Sequence, residues 1–187
     1  MSKHTTNKEI KKLTVPVNLG SDHIQGSVNA PLNIVEYGDY ECPYTGIAYP
    51  VVKQIVRQFG GKLYFVFRNF PLNEIHPHAQ NAAEAVEAAA AQGKFWEMHD
   101  YLFEHQKALD NNHLLEYAQK VGLDLGRFKN ETSSHVYASS INESLKTGIN
   151  SGVEGTPTFF VNGVRYEESW DLEAFSILLK KHLRGQI

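Results

Sequence analysis

The stretch GDYECPYTG, residues 38–46, joins two runs of different periodicity, and its reading decides the fold. Before it, LNIVEYGD (32–39) is a short apolar run of strand type. After it, PYTGIAYPVVKQIVRQF (43–59) places Ile47, Val51, Val52, Ile55, Val56 and Phe59 at helical spacing. Pro43 suits the first helical position, where a missing N–H costs nothing. Pro50 predicts a kink, and Gly60-Gly61 predicts the stop. KLYFVFRNF (62–70) then reads as a strand covered on both faces. Strand, helix and strand with a connection of this length imply a parallel pair and a right-handed crossover. Cys42, at the strand-to-helix boundary, is the only cysteine in the chain.

Working outward, residues 1–12 are polar and lysine-rich and are expected to form a mobile, solvated arm. VPVNLGSDHIQGSVNAP (15–31) reads as an extended, turn-rich lead-in. Beyond the second strand, HPHAQNAAEAVEAAAAQ (76–92) predicts an alanine-rich helix interrupted at Gly93. KFWEMHDYLFEHQKAL (94–109) predicts another, with Phe95, Met98, Tyr101 and Leu102 on one face. NNHLLEYAQKV (111–121) opens on an asparagine N-cap, and residues 125–150 supply one or two more helices. The pattern then changes. TPTFFVNGVRYEE (156–168) is two β runs joined by Asn162-Gly163, a strong hairpin signal. DLEAFSILLKKHL (171–183) is a terminal amphipathic helix.

Composition narrows the function. The chain has 187 residues, 42% of them hydrophobic, and a formal net charge of −3. That length predicts one domain or one domain with an insert, and the charge offers nucleic acid no basic face. No apolar run is long enough to span a membrane. The polar N-terminus lacks the apolar core of a secretory leader, which predicts a cytoplasmic protein. A chain trimmed of its leader would read the same and would point to the periplasm. A lone cysteine excludes an intramolecular disulfide.

At a helix start, Cys42 would meet unpaired N–H groups and positive partial charge, which favour the nucleophilic thiolate. Asp39 and Glu41 oppose this with nearby negative charge, and with the turn they predict a partly exposed thiol. The bland alternative is a small buried hydrophobe.

YECPYT (40–45), FRNFPL (67–72), HPHAQNAAEA (76–85), GKFWEMHDYLFEHQ (93–106) and GTPTFFVNG (155–163) together resemble the DsbA-type thioredoxin-like proteins. The match runs from about residue 14 to the end. It implies an α/β architecture: a thioredoxin fold with an inserted α-helical domain. The divisions are an N-terminal extension at 1–30, a thioredoxin-like domain at 31–75 and 151–187, and the insert at 76–150. The resemblance makes Cys42 the attacking cysteine and Pro157 the cis-proline facing it, preceded by Thr156. Backbone beside that proline would receive an extended peptide as an added strand. Without the resemblance, Pro157 is an ordinary strand-edge proline. Pro43 and Tyr44 would tune the thiol and contact substrate. Glu36 stands where thioredoxin-like proteins often carry a buried acid. A carboxyl there would have a raised pKa and could shuttle protons; a plain strand-end carboxylate is the other reading.

The chain departs from the family at Thr45, where redox-active members carry a second cysteine. Thr45 cannot resolve a mixed disulfide, so an external thiol, glutathione or a substrate cysteine, would have to do so. Its hydroxyl, one helical turn on, could donate a hydrogen bond to the Cys42 sulfur. The expectation is a monothiol thiol–disulfide exchange protein acting on protein or peptide thiols and disulfides, with glutathione as co-substrate and no tightly bound cofactor. Two alternatives stand beside it. One is a non-catalytic peptide-binding or regulatory module, with Thr45 a relic of a lapsed enzyme. The other is a glutathione-dependent transferase or isomerase of the kappa class, though those usually carry serine at the first active-site position. His76 and His78 suggest a metal pair but lack a third ligand, and helix capping or surface placement suits them better. His99 reads as a packed histidine; Phe95, Trp96, Phe159 and Phe160 as core; Tyr37 and Tyr40 as groove-lining or exposed strand-end residues.

Overall fold

The computed structural model describes residues 10–186. Five strands and seven α-helices follow in the order β1 (His23–Gly26), β2 (Leu32–Gly38), α1 (Pro43–Phe59), β3 (Leu63–Asn69), α2 (Ala79–Ala90), α3 (Phe95–Glu104), α4 (Asn111–Lys120), α5 (Leu125–Ser133), α6 (Ala138–Asn150), β4 (Thr158–Val161), β5 (Val164–Tyr166) and α7 (Leu172–Leu183). The sheet order is β1-β3-β2-β4-β5. β2 and β3 are parallel, in register from Leu32 opposite Leu63 to Gly38 opposite Asn69. The hairpin of β4 and β5 returns antiparallel to β2, and five helices lie between β3 and β4. This is a mixed α/β thioredoxin-like fold.

Local chemistry accounts for the elements. α1 runs through Pro50 as one helical span and ends at Gly60, whose φ of 50° favours a residue without a Cβ. Asn162 and Gly163 both have positive φ, as the tight turn between β4 and β5 requires. α4 is capped by Asp110, one residue before the expected asparagine; its carboxylate accepts from Asn112 and His113 N–H.

The alternation of β2 divides the core. Leu32 and Ile34 join the large cluster beneath α1, α7 and the helical block. Val35 and Tyr37 face the other way, with Val66, Phe70, Val153 and Phe160. Glu36, two residues after Ile34, therefore points with the large cluster.

The lead-in differs from expectation. Its HIQG forms β1, pairing antiparallel with β3 from His23–Phe67 to Gly26–Tyr64. The end of the lysine-rich arm is also structured. Lys12 bridges Val164, and Leu13 N–H and Arg165 N–H donate to Gly163 and Lys11 carbonyls, both at 2.9 Å. The first nine residues of the predicted arm lie outside the described residues.

A candidate thiol site at the end of the central strands

The register of β2 with β4, Tyr37 opposite Thr158, sets residues 156–157 alongside the turn that follows β2. Cys42 is the N-cap of α1, in extended conformation, and its side chain accepts no bond from the first-turn N–H groups. Its Sγ instead donates to the Thr156 carbonyl at 3.2 Å. The Thr156–Pro157 peptide bond is cis. The structure thus brings Cys42, Thr156 and Pro157 together.

The partly exposed thiol expected from the flanking charges is corrected: Cys42 is only 3% exposed, lying under the Thr156 backbone. Pro43 and Tyr44 are exposed beside it, with the Tyr44 ring at 66% and Ile47 at 58%. The two acids do not act as loose charges beside the sulfur. Asp39, buried, accepts from Glu41 N–H at 2.8 Å, from Leu72 N–H at 2.9 Å and from His76 Nδ1 at 2.7 Å. Glu41 accepts from His78 N–H at 2.6 Å. His76 and His78 therefore act within a clasp between the Cys42 turn and the segment after β3. His78 occupies the N-cap of α2 without a side-chain capping bond. Among the described residues, no group of three or more His, Cys, Asp or Glu side chains is placed to hold a metal ion.

A second clasp comes from the helical block. Gln106, just past α3, donates through Nε2 to the carbonyls of Tyr40 at 2.9 Å and Cys42 at 2.7 Å. Gly46 makes room for it, since a Cβ there would lie 2.2 Å from Gln106 Oε1. Sequence reasoning missed Gln106 and the pairing role of His76, because neither carries a local signal linking it to residues 39–42.

Thr45 is completely buried, and its Oγ1 has no hydrogen-bond partner among the described residues. The expected hydroxyl bond to the sulfur is not made. Its methyl instead packs below Gly38, where an added Cβ would meet Thr45 Cγ2 at 3.1 Å.

Glu36 is 3% exposed and its Oε1 is unpartnered among the described residues. Burial pushes its carboxyl up from 4.5 to about 8, which favours the protonated form at neutral pH. A cavity of about 20 Å³ adjoins it, bounded by Tyr49, Lys53, His99 and Asp100. Burial, then the charges of Lys53 and His23, hold His99 down to about 3, so the imidazole is neutral. Its Nδ1 is hydrogen-bonded to Tyr40 Oη at 2.9 Å. Tyr40 and Tyr37 are both fully buried, which removes them as groove-lining residues. Tyr37 Oη bonds to Thr147 Oγ1 at 2.9 Å and accepts from Arg68.

Known proteins share this fold. A family model described as thioredoxin matches residues 18–181. The oxidised crystal structure of BdbD from Bacillus subtilis is similar at a TM-score of 0.80 and 23% identity, over 90% of this chain and 96% of that one. The thiol-disulfide exchange protein alpha-DsbA2 from Wolbachia pipientis is similar at a TM-score of 0.75 and 21% identity, over 86% of each chain. At these identities the likeness is one of fold. The Na(+)/H(+) antiporter NhaA 1 of Salinispora arenicola is 46% identical over 173 residues, which are 92% of this chain and 26% of that protein. The chain thus spans about a quarter of that relative's length. No helix among the described residues is long and apolar enough to cross a membrane.

Proposed function

The chain belongs to the thioredoxin family, and from that membership we propose that it is a monothiol thiol–disulfide exchange protein working through Cys42. The observation that carries the reading is the meeting of a lone helix-start sulfur with the Thr156 carbonyl beside Pro157. A peptide running along Thr156–Pro157 as an added strand would present its own sulfur to Cys42. The Cys42 thiolate attacks one sulfur of a substrate disulfide. A Cys42–substrate disulfide forms, the substrate S–S bond breaks, and the departing sulfur leaves as thiolate. With Thr45 in place of a resolving cysteine, one external thiolate such as glutathione attacks the Cys42 sulfur and releases the substrate as thiolate; a second attacks the resulting Cys42–glutathione disulfide, leaves as oxidised glutathione and returns Cys42 as thiolate. No net oxidation occurs on the protein.

In this reading Pro43, Tyr44, Thr156 and Pro157 meet the substrate, and Glu36 holds a proton in the layer beneath the turn. Thr45 is a packing residue, acting by the absence of a thiol. The buried sulfur makes access through substrate docking part of the mechanism.

The test is glutathione-coupled reduction of a peptide–glutathione mixed disulfide. Wild type should turn over, Cys42→Ala should not, and Thr45→Cys should add an intramolecular route that consumes a second thiol. Turnover seen only in Thr45→Cys would identify a lapsed enzyme and favour a peptide-binding module. The antiporter relatives support a second, separable reading, in which the domain serves a membrane transport protein; it rests on the 46% identity alone.

A further inference from the structure

Beside the Thr156–Pro157 backbone that the Cys42 sulfur meets lies a cleft that the exchange step does not itself use. The cleft has a volume of about 250 Å³, and Pro157, Thr158, Tyr166, Glu167, Glu168 and Trp170 are among the residues that line it. The pairings Tyr37–Thr158 and Phe159–Tyr166 set the start of β4 and the end of β5 at the same end of the sheet as Cys42. The Cys42 sulfur touches the carbonyl of Thr156, the residue before the cleft opens. An extended peptide advances about 3.3 Å per residue. One bonded to Cys42 and laid along Thr156–Pro157 therefore brings a side chain into the cleft within about two residues of its cysteine.

The walls say which side chain suits it. Arg165 faces Glu167 at 3.9 Å and donates to the Gly152 carbonyl, so the one guanidinium here is engaged. Glu168 is exposed and forms no ion pair with a described residue. Glu168 lines the same cleft as the Tyr166 and Trp170 rings, and burial first, then the charges of Glu168 and Asp171, hold the Tyr166 phenol above its ordinary range. Two aromatic side chains beside an uncompensated carboxylate favour a planar cation. It can lie on a ring face and pair with the acid at once. An acidic side chain meets only repulsion there.

We propose that this cleft receives a basic side chain, arginine above all, from a polypeptide whose cysteine is disulfide-bonded to Cys42. The proposal rests on the exchange reading above and names the class of substrate: segments with arginine or lysine close to the cysteine.

The experiment compares two extended peptides, each with its cysteine activated as a thiopyridyl disulfide. One carries arginine, the other glutamate, two residues to either side. Attack by Cys42 forms the Cys42–peptide disulfide and expels thiopyridone with the bonding electron pair, which is read by absorbance. The arginine peptide should react about tenfold faster at low salt, and the advantage should shrink at about 1 M salt, where charges are screened within roughly 3 Å. Glu168→Lys, an exposed substitution, should abolish or invert the preference. Equal rates with wild type, or a preference that Glu168→Lys leaves intact, overturn the proposal while leaving exchange standing. No reaction of either peptide with the native protein overturns both.

Discussion

Replacing Glu36 by glutamine should make the protein more stable, and by an amount that grows with pH. Glu36 is buried, with Oε1 unpartnered among the described residues, and burial lifts its carboxyl from 4.5 to about 8. Glu36 stays protonated in the folded state over a range in which the unfolded chain releases the proton. The fold therefore loses stability as pH rises from about 4.5 through about 8. Below that window the group is neutral in both states and contributes no penalty. Each unit is worth about 1.4 kcal/mol, so the penalty approaches about 3 kcal/mol at pH 7. Glutamine has nearly the same shape and no proton to hold against solvent. Urea denaturation of wild type and Glu36→Gln across pH 5 to 9 isolates the difference, since every other titrating group is common to both. The gap should be under about 1 kcal/mol at pH 5 and widen by roughly 2–3 kcal/mol by pH 7. A gap that does not change with pH, or one in which glutamine is the less stable throughout, would refute the assignment of a neutral, desolvated acid.

Three further outcomes follow from the same site. Thr45→Val removes a buried hydroxyl that has no partner; it should stabilise the fold by about 1 kcal/mol and leave the alkylation rate of Cys42 unchanged. A slowed alkylation would mean the hydroxyl serves the sulfur after all. Gln106→Leu strips the two donors from the Tyr40 and Cys42 carbonyls. The expected loss is about 1–3 kcal/mol in thermal or urea unfolding, with faster alkylation of Cys42 as its turn loosens. His76→Ala leaves the buried Asp39 carboxylate short of one partner at 2.7 Å, for a loss of about 1–3 kcal/mol, measured by thermal melting against a His78→Ala control, which keeps the backbone donor to Glu41.

Much of the scaffold could be read from the residues, for reasons that mark where such reading ends. β2, α1 and β3 show because their apolar periods are long and their boundaries carry Pro43 and Gly60. The β4–β5 hairpin shows because Asn162-Gly163 is a turn written in backbone preference. β1 was hidden because HIQG is four residues long and half exposed; only hydrogen bonds to β3 make it a strand. Burial was harder to read than position. Tyr37, Tyr40, Asp39 and Cys42 sit in a stretch rich in polar groups, yet all four are buried, because partners distant in sequence satisfy those groups. Arg68 and Thr147 bond the Tyr37 hydroxyl, His99 the Tyr40 hydroxyl, and Leu72 with His76 the Asp39 carboxylate. The same reason hid Gln106, whose role exists only once the helical block has folded back on the thiol turn. Spacing sets Thr45 one helical turn from the sulfur but does not fix its rotamer, which packs the methyl below Gly38.

The most direct test of the exchange chemistry is intact-mass analysis of the native protein incubated with oxidised glutathione and then with a second thiol. The account predicts one glutathione gained per chain, located at Cys42, lost on adding dithiothreitol and absent from Cys42→Ala. A native protein that stays unmodified, while the same sulfur reacts once the chain is unfolded in urea, would contradict it.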